Sequence, residues 1–207
     1  YGAPLALQGI AHNASRYWDN LAVNKLFGDA ATGVYNMAYN LADIPAIQVG
    51  EQLATVLMPS MSALPPERRP AALERSSALL SLILFPMAVG LGLVAGPLIE
   101  VILPADRWQQ VGPLLTVLAG LSVFRPITWV LSAYMEAQSR TGRLMYLELA
   151  KIVVLLGGLI LLAPFGLQIA AAAVGLAFGA TAVAGVLLVA KEGPSVWRMF
   201  LGFAQPL

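Results

Sequence analysis

The stretch "SSALLSLILFPMAVGLGLVAGPLI", from Ser76 to Ile99, decides the fold of this chain. It contains no charged side chain and is bounded by Arg75 and Glu100. A helix crosses the hydrocarbon core of a bilayer with about 20 mostly apolar residues. The stretch is therefore predicted to be a membrane-spanning helix.

The composition of the whole chain agrees with this reading. Of its 207 residues, 58% are apolar and only 11% are charged, and the mean hydropathy is +0.76. Soluble domains usually carry about 25% charged residues. We therefore predict an all-α, polytopic membrane protein. A net charge of +1 gives no basis for a nucleic-acid partner, and the absence of cysteine excludes disulfides and thiolate metal sites.

Five further apolar segments resemble the first one, and residues 1–207 are read as one six-helix bundle. The six predicted spans are about 5–27, 30–64, 76–102, 108–135, 141–163 and 167–190. The second is longer than a bilayer requires, so Pro45 and Pro59 are expected to bend it. The long uncharged run near the end is broken at "APFG", Ala163 to Gly166.

Two segments are predicted to lie along the membrane surface as amphipathic helices, 67–75 and 194–204. The chain begins with Tyr1 rather than Met, and it lacks the basic start of a signal peptide. We therefore expect it to be part of a longer protein.

The distribution of basic residues predicts the orientation. If six spans alternate, eight basic residues fall on one side of the membrane and only Lys25 and Arg107 on the other. The eight are Arg68, Arg69, Arg75, Arg140, Arg143, Lys151, Lys191 and Arg198. Both ends of the chain are then predicted to be cytoplasmic.

Three of the predicted spans carry polar stripes. Charges inside a membrane cost about 2.5–3.5 kcal/mol on insertion scales and usually face the bundle interior or a wet cavity. The stripe of the first helix consists of His12, Asn13, Arg16, Asp19, Asn20 and Asn24. The stripe of the second consists of Asn36, Asn40, Asp43 and Glu51, with Tyr39 beside it. The stripe of the fourth consists of Ser122, Arg125, Thr128, Ser132 and Glu136, with Trp129 beside it.

Two arginines stand out in these stripes. Arg16 and Asp19 lie three residues apart on one helix face and can partly neutralise each other. Arg125 has no acid three or four residues away, and it precedes Pro126, which favours a kink. A substrate or gating role is one reading of these residues. The other is structural, with polar side chains pairing across helices and Arg125 binding freed carbonyl groups.

The third, fifth and sixth spans are far less polar than the other three. Their small residues suit close helix packing, and Gly175 with Gly179 forms a Gly-xxx-Gly pair. These glycines are Gly157, Gly158, Gly175, Gly179 and Gly185.

Nothing in the sequence indicates an enzyme. The sole histidine, His12, has no cysteine partner and no second histidine at a metal-ligand spacing, and no glycine-rich phosphate loop with a lysine is present. We expect no enzymatic activity, no metal and no cofactor, except that H⁺ or Na⁺ is a candidate coupling ion.

At "RYWDNLAVNKLFGDAATGVYNMAYNLADIP", Arg16 to Pro45, the chain resembles a known family. It is similar to the start of the second half of polysaccharide transporters, a branch of the flippase superfamily that also includes multidrug exporters and lipid-linked oligosaccharide flippases. Weaker matches follow in order at "VLMPSMSAL" (Val56 to Leu64), "PLIEVILPADRW" (Pro97 to Trp108) and "FRPITWVLSAYMEAQSRTGR" (Phe124 to Arg143). The order and spacing of these motifs carry the resemblance, which covers about residues 10–190.

The resemblance implies two six-helix bundles that face a central cavity and open it alternately to either side. This chain would be the second bundle, and the first half of the same protein would be its partner. The implied substrate is a polyprenyl-diphosphate-linked oligosaccharide, and the implied location is the bacterial inner membrane. The polysaccharide polymerase machinery is a further candidate partner.

The resemblance turns the polar stripes into candidate site residues. Arginine side chains match phosphate oxygens, and amide, acidic and aromatic side chains suit sugars. The candidates for substrate binding are Arg16, Asp19, Asn20, Asn24, Asn36, Tyr39, Asn40, Arg125 and Trp129, and those for ion coupling are Asp43 and Glu51.

Two other functions stay open. A cation-coupled multidrug antiporter would use Asp43 or Glu51 for ion exchange, although two arginines in the cavity would repel cationic drugs. A non-transporting membrane scaffold, or a fragment of a membrane glycosyltransferase, is the third hypothesis. The loops are too short to build a metal-bound donor site outside the bilayer, which argues against the glycosyltransferase.

Overall fold

The computed structural model of the chain describes residues 17–104 and 108–190, and this part contains helices and no β-strand. The predictions for Arg16, for the first residues of the first span and for the segment 194–204 lie outside the described residues. The helices are α1 (17–27), α2 (Asp29–Pro45), α3 (Gln52–Ala63), α4 (Arg69–Ile102), α5 (Val111–Leu121), α6 (Arg125–Ala137), α7 (Thr141–Leu162) and α8 (Leu167–Ala190).

Four helical segments in the described part are long and apolar enough to cross a membrane. They are Pro66–Ile102, Val111–Ala137, Thr141–Phe165 and Leu167–Val189. The protein is therefore an all-α, multi-pass membrane protein. The remaining two predicted spans, which contain α1 and α2–α3, are the most polar, and their crossing stays a prediction.

Proline positions explain why two of the predicted spans are interrupted. After Pro45 the chain winds as a π-helix, Ala46–Glu51, before α3 begins. Proline has no N–H to bond the carbonyl four residues earlier, which favours such a break. Pro59, by contrast, lies inside an uninterrupted α3, so the bend expected there is not accompanied by a break in the helix.

The fourth predicted span breaks in the same way. A 3₁₀ turn, Ser122–Phe124, separates α5 from α6, which begins at Arg125. Pro126 lies in the first turn of α6. The N–H groups of a first turn have no carbonyl partner within the helix, so proline loses no hydrogen bond there. The interruption expected beside Arg125 is therefore present.

The predicted surface helix at 67–75 is not a separate element. A 3₁₀ turn, Pro66–Arg68, leads directly into α4, whose first residues are Arg69 to Arg75. The 34 residues of α4 span about 50 Å at 1.5 Å per residue. This exceeds the hydrocarbon core of about 30 Å, so the polar first turns extend the spanning helix beyond it.

Two buried apolar clusters form the core, one near each end of the bundle. The first cluster gathers α1, α2, the end of α4, α5, the end of α7 and the start of α8, and includes Val23, Tyr35, Leu115, Leu159 and Val174. The second gathers α3, the start of α4, α6, the start of α7 and the end of α8, and includes Met61, Leu73, Leu131, Tyr134 and Val186. Successive turns thus lie at alternate ends, as a run of antiparallel spans requires.

Glycines allow helices to approach closely at some of the predicted positions. A β-carbon at Gly158 would lie 2.8 Å from that of Ala173, and one at Gly175 would lie 2.5 Å from the side chain of Leu121. No atom lies within 4 Å of such a β-carbon at Gly157. Such a β-carbon would also lie 2.9 Å from Leu131 at Gly185 and 3.6 Å from Phe124 at Gly179. Four of the five predicted glycines therefore lie against a neighbouring helix or turn, and Gly157 does not.

Candidate functional site

Four charged side chains are buried at the level between the two apolar clusters. They are Asp43 on α2, Arg125 at the start of α6, and Glu148 and Lys151 on α7. Each is less than 10% exposed. Together with the ring of Phe178 on α8 they are called the buried charge layer below. Since charges in an apolar interior are costly, they are retained only when paired.

Arg125 and Asp43 form an ion pair between α6 and α2. The guanidinium also lies over two aromatic rings, 5.1 Å from the centre of Tyr39 and 4.8 Å from that of Phe178. Such contacts are favourable because the face of an aromatic ring is electron-rich. Arg125 is therefore held by groups from two other helices, and its charge is balanced inside the bundle.

Glu148 and Lys151 form the second ion pair of the layer, three residues apart on α7. The ammonium group of Lys151 lies 5.2 Å from the centre of the Phe178 ring. Phe178 thus lies between two cations that come from different helices. The ring joins the two ion pairs into one layer across α2, α6, α7 and α8.

Asp19 extends this arrangement to α1. The Tyr35 hydroxyl donates a hydrogen bond of 3.0 Å to one carboxylate oxygen, and the Asn20 backbone N–H donates one of 2.7 Å to the other. The rings of Tyr35 and Tyr39 are 5.8 Å apart, so Asp19 connects through them to Arg125. Asp19 is only 1% exposed. In all, three carboxylates face two cations in the described interior.

A different set of polar groups lies on the outside of the bundle. Asn36 and Asn40 of α2 are exposed and hydrogen-bonded to each other, and Gln48 of the π-helix is also exposed. These three residues are called the amide face below. Between the charged residues near their ends, Arg75, Glu100 and Arg143, the exposed positions of α4 and α7 are apolar by contrast, with Leu93 at 78% and Val153 at 70% exposure. An amide exposed to lipid loses its hydrogen bonds with water, so this face suits a wet or polar contact.

The remaining predicted site residues are placed as follows. Asn20 is half-buried, and Asn24 is half-buried and donates a hydrogen bond of 2.6 Å to Asp29. Trp129 is half-buried, and its ring occupies the space where a β-carbon of Gly50 would lie. The side chain of Glu51, like all of Arg16, is outside the described part of the structure. Substrate contact and ion coupling by any of these residues stay predictions.

Sequence reasoning missed half of the buried charge layer. Lys151 was counted among the cytoplasmic basic residues, but it lies ten residues into α7, about 15 Å from its start, and is 4% exposed. It therefore belongs to the interior and not to a loop. The available signal was the spacing of Glu148 and Lys151, an opposite-charge pair at i,i+3 within an apolar helix.

Comparison with known proteins gives one family and two relatives. The family described as "Polysaccharide biosynthesis protein" matches residues 1–113. The lipopolysaccharide biosynthesis protein WzxC of Escherichia coli (strain K12) is 21% identical over 142 residues, which is 68% of this chain and 29% of the relative. The teichuronic acid biosynthesis protein TuaB of Bacillus subtilis (strain 168) is 27% identical over 148 residues, 70% of this chain and 30% of the relative.

The matched region is thus less than a third of the length of either relative. No solved structure matches the chain significantly.

Proposed function

The chain belongs to the family of polysaccharide biosynthesis proteins, and from this premise we propose that it forms one helical bundle of a flippase. The substrate proposed is an oligosaccharide linked to a polyprenyl diphosphate, and the membrane is the bacterial cytoplasmic membrane. The protein would act by alternating access as a transporter and not as an enzyme.

The amide face is the observation that carries this proposal. It places Asn36, Asn40 and Gln48 on the outside of a bundle whose other exposed positions are largely apolar. Amide groups both donate and accept hydrogen bonds, which is what sugar hydroxyl groups require. We therefore propose that the amide face lines the path of the sugar, with a second bundle of the complete protein facing it across a wet cavity.

The buried charge layer then has a supporting role behind this face. Asn40 lies three residues before Asp43 on α2, so the layer fixes the part of the helix that carries the amides. Arg125 is balanced by Asp43 and enclosed by two rings, so its charge is not presented at the amide face. The cation that would meet the diphosphate therefore remains the predicted Arg16.

The test uses cells in which the complete gene is deleted. Lipid-linked oligosaccharide on the cytoplasmic face and polysaccharide at the cell surface are quantified before and after the gene is restored. The wild type is compared with Asn40→Leu and with the control Val153→Leu, which introduces the same residue on an apolar exposed surface of α7. All variants are compared at equal membrane abundance.

We expect deletion to accumulate the lipid-linked intermediate and abolish surface polymer. The wild type and Val153→Leu should restore export, and Asn40→Leu should not. Normal polymer after deletion would reject the flippase and give priority to assays of drug efflux. Full rescue by Asn40→Leu would be compatible with a flippase but would reject the proposal that the amide face lines the path of the sugar.

A further inference from the structure

Helix α3 has few neighbours within this bundle. Of the eleven α3 side chains that the structure describes, nine are exposed, Leu57 is half-buried and only Met61 is buried. In α5, which is about as long, six of the eleven residues are buried. Among the described helices, α3 packs mainly against α6. Most of its circumference is therefore available for contact with something outside the described part of the chain.

The exposed side of α3 differs from the other exposed surfaces of the bundle. At 100° per residue, six of its exposed side chains lie within about 160° of arc, and none of them is larger than valine. They are Thr55, Val56, Pro59, Ser60, Ser62 and Ala63, and they are called the α3 face below. Leu53 and Met58 flank this face, whereas the exposed positions of α8 between 176 and 188 are mostly leucine and valine. Small residues are enriched where membrane helices pack together, because they let the backbones approach closely.

The hydroxyl groups of the α3 face are already hydrogen-bonded within the helix. Thr55 donates to the carbonyl oxygen three residues earlier at 2.7 Å, and Ser60 and Ser62 donate to those four residues earlier at 2.7 Å and 2.9 Å. A polar group that has a partner can leave water at little cost. The α3 face therefore suits a dry contact.

The amide face has the opposite requirement. An asparagine amide has two N–H donors and one acceptor oxygen. The hydrogen bond from Asn40 to Asn36 uses one donor of the first and the acceptor of the second. The other amide groups of this exposed pair still require water or a polar ligand. The two faces thus differ in whether they need water.

The α3 face continues the amide face along the same predicted span. The amide face lies before and within the π-helix, Ala46–Glu51, and α3 begins directly after it at Gln52. The matched region is less than a third of the length of either relative, which leaves room for the second bundle of the proposed function. A surface that lies across the cavity from the amide face is also within reach of the helix that continues it.

We propose that the α3 face packs directly against the second bundle of the complete protein, as a dry contact between helices. One span is then divided at the π-helix into a wet part, which lines the path of the sugar, and a dry part, which joins the two bundles. This inference rests on the proposed function for the existence of the second bundle.

The test uses the complete gene product in vesicles of phosphatidylethanolamine and phosphatidylglycerol. A nitroxide label is attached to Val56→Cys on α3, to Val153→Cys on α7 or to Asn40→Cys on the amide face. The chain has no cysteine of its own, and any in the rest of the protein are replaced by serine. Electron paramagnetic resonance then gives the collision rate of each label with oxygen, which concentrates in lipid, and with a water-soluble nickel chelate. Val153 is the matched control, since it is also a valine and is 70% exposed, against 61% for Val56.

At Val56 we expect the oxygen collision rate to be several-fold lower than at Val153, and the nickel collision rate to be several-fold lower than at Asn40. A packed contact excludes both lipid and water, so both rates should fall together. Melting temperatures of the three labelled proteins are compared in detergent. A loss confined to the Val56 label would also support the proposal, because a bulky group forced into a packed contact is destabilising.

Equal oxygen collision rates at Val56 and Val153, with equal melting temperatures, would assign the α3 face to lipid and overturn the proposal. Frequent nickel collisions at Val56 would overturn it as well, since the wet path would then extend along α3. Both results leave the proposed path of the sugar intact if water reaches the label at Asn40. A label at Asn40 that meets oxygen but not nickel would contradict that path, and with it the division of the span.

Discussion

The ion pair between Arg125 and Asp43 allows a structural role to be separated from a role in transport. The two residues are 6% and 3% exposed, so neither charge is compensated by bulk water. Replacing Arg125 with Met leaves the Asp43 carboxylate buried without its main cation. Breaking a buried ion pair in this way typically costs about 3–5 kcal/mol. We expect a loss of that size for Arg125→Met.

The double replacement Arg125→Met with Asp43→Leu removes both charges together. Replacing a whole buried pair with apolar residues of similar volume is often neutral, or stabilising by about 1–4 kcal/mol. We therefore expect the double variant to be at least as stable as the wild type. The two effects would then be strongly non-additive, as expected for residues in direct contact.

The assay follows thermal unfolding of the complete gene product in detergent for the wild type, both single variants and the double variant. The reasoning is refuted if the double variant is destabilised by the sum of the single effects, because the two residues would then act independently. Export is measured in cells for the same four proteins. A stable double variant without export means that the charges serve transport, whereas normal export means that the pair is only structural.

Three further predictions concern the neighbouring residues. Phe178→Leu removes the ring that contacts both cations of the buried charge layer and should lower the melting temperature, since each cation–π contact contributes about 0.5–2 kcal/mol. Phe178→Tyr keeps an aromatic ring and should lower the melting temperature less. Gly50→Ala should destabilise the protein by about 1–3 kcal/mol, because the new β-carbon would collide with the Trp129 ring. Gly142→Ala is the control: no atom lies within 4 Å of its new β-carbon, so this variant should be as stable as the wild type or more stable. Asp19→Asn should leave the fold intact and abolish any dependence of transport on an H⁺ or Na⁺ gradient; an unchanged dependence in reconstituted vesicles would contradict an ion-coupling role.

The sequence predicted the helices well because hydrophobic length is a strong signal in membrane proteins. The apolar run after Arg75 and the break at "APFG" both appear as expected, the latter as a 3₁₀ turn, Ala163–Phe165, followed by Gly166 at a φ of +96°. Glycine adopts that conformation without the steric cost that other residues meet. Segment 67–75 was misread because its charges are compatible both with a surface helix and with the protruding first turns of a long one.

The site was harder to predict because pairing across helices depends on how the helices are rotated and placed. The sequence showed that Arg125 has no acid three or four residues away on its own helix, but it did not identify Asp43, 82 positions earlier, as the partner. Phe178 gave no signal either, since an aromatic residue in an apolar helix is usually part of the core. Its role follows only from the two cations that the fold brings to its ring.

The groups that contact Asp43 and Asp19 differ in charge, and this difference affects which of the two acids is better suited to ion coupling. Asp43 is a sequence-predicted candidate, but its ion pair with Arg125 means that a bound H⁺ or Na⁺ would compete with a fixed cation. The hydrogen bonds to Asp19 come from neutral donors, the Tyr35 hydroxyl and the Asn20 backbone N–H. Among residues 17–104 and 108–190, the groups bonded to Asp19 are thus neutral, whereas the group paired with Asp43 is a cation. Because Tyr35 and Tyr39 connect Asp19 to Arg125, a change of charge at Asp19 would also change the electrostatic environment of Arg125 in the buried charge layer behind the amide face.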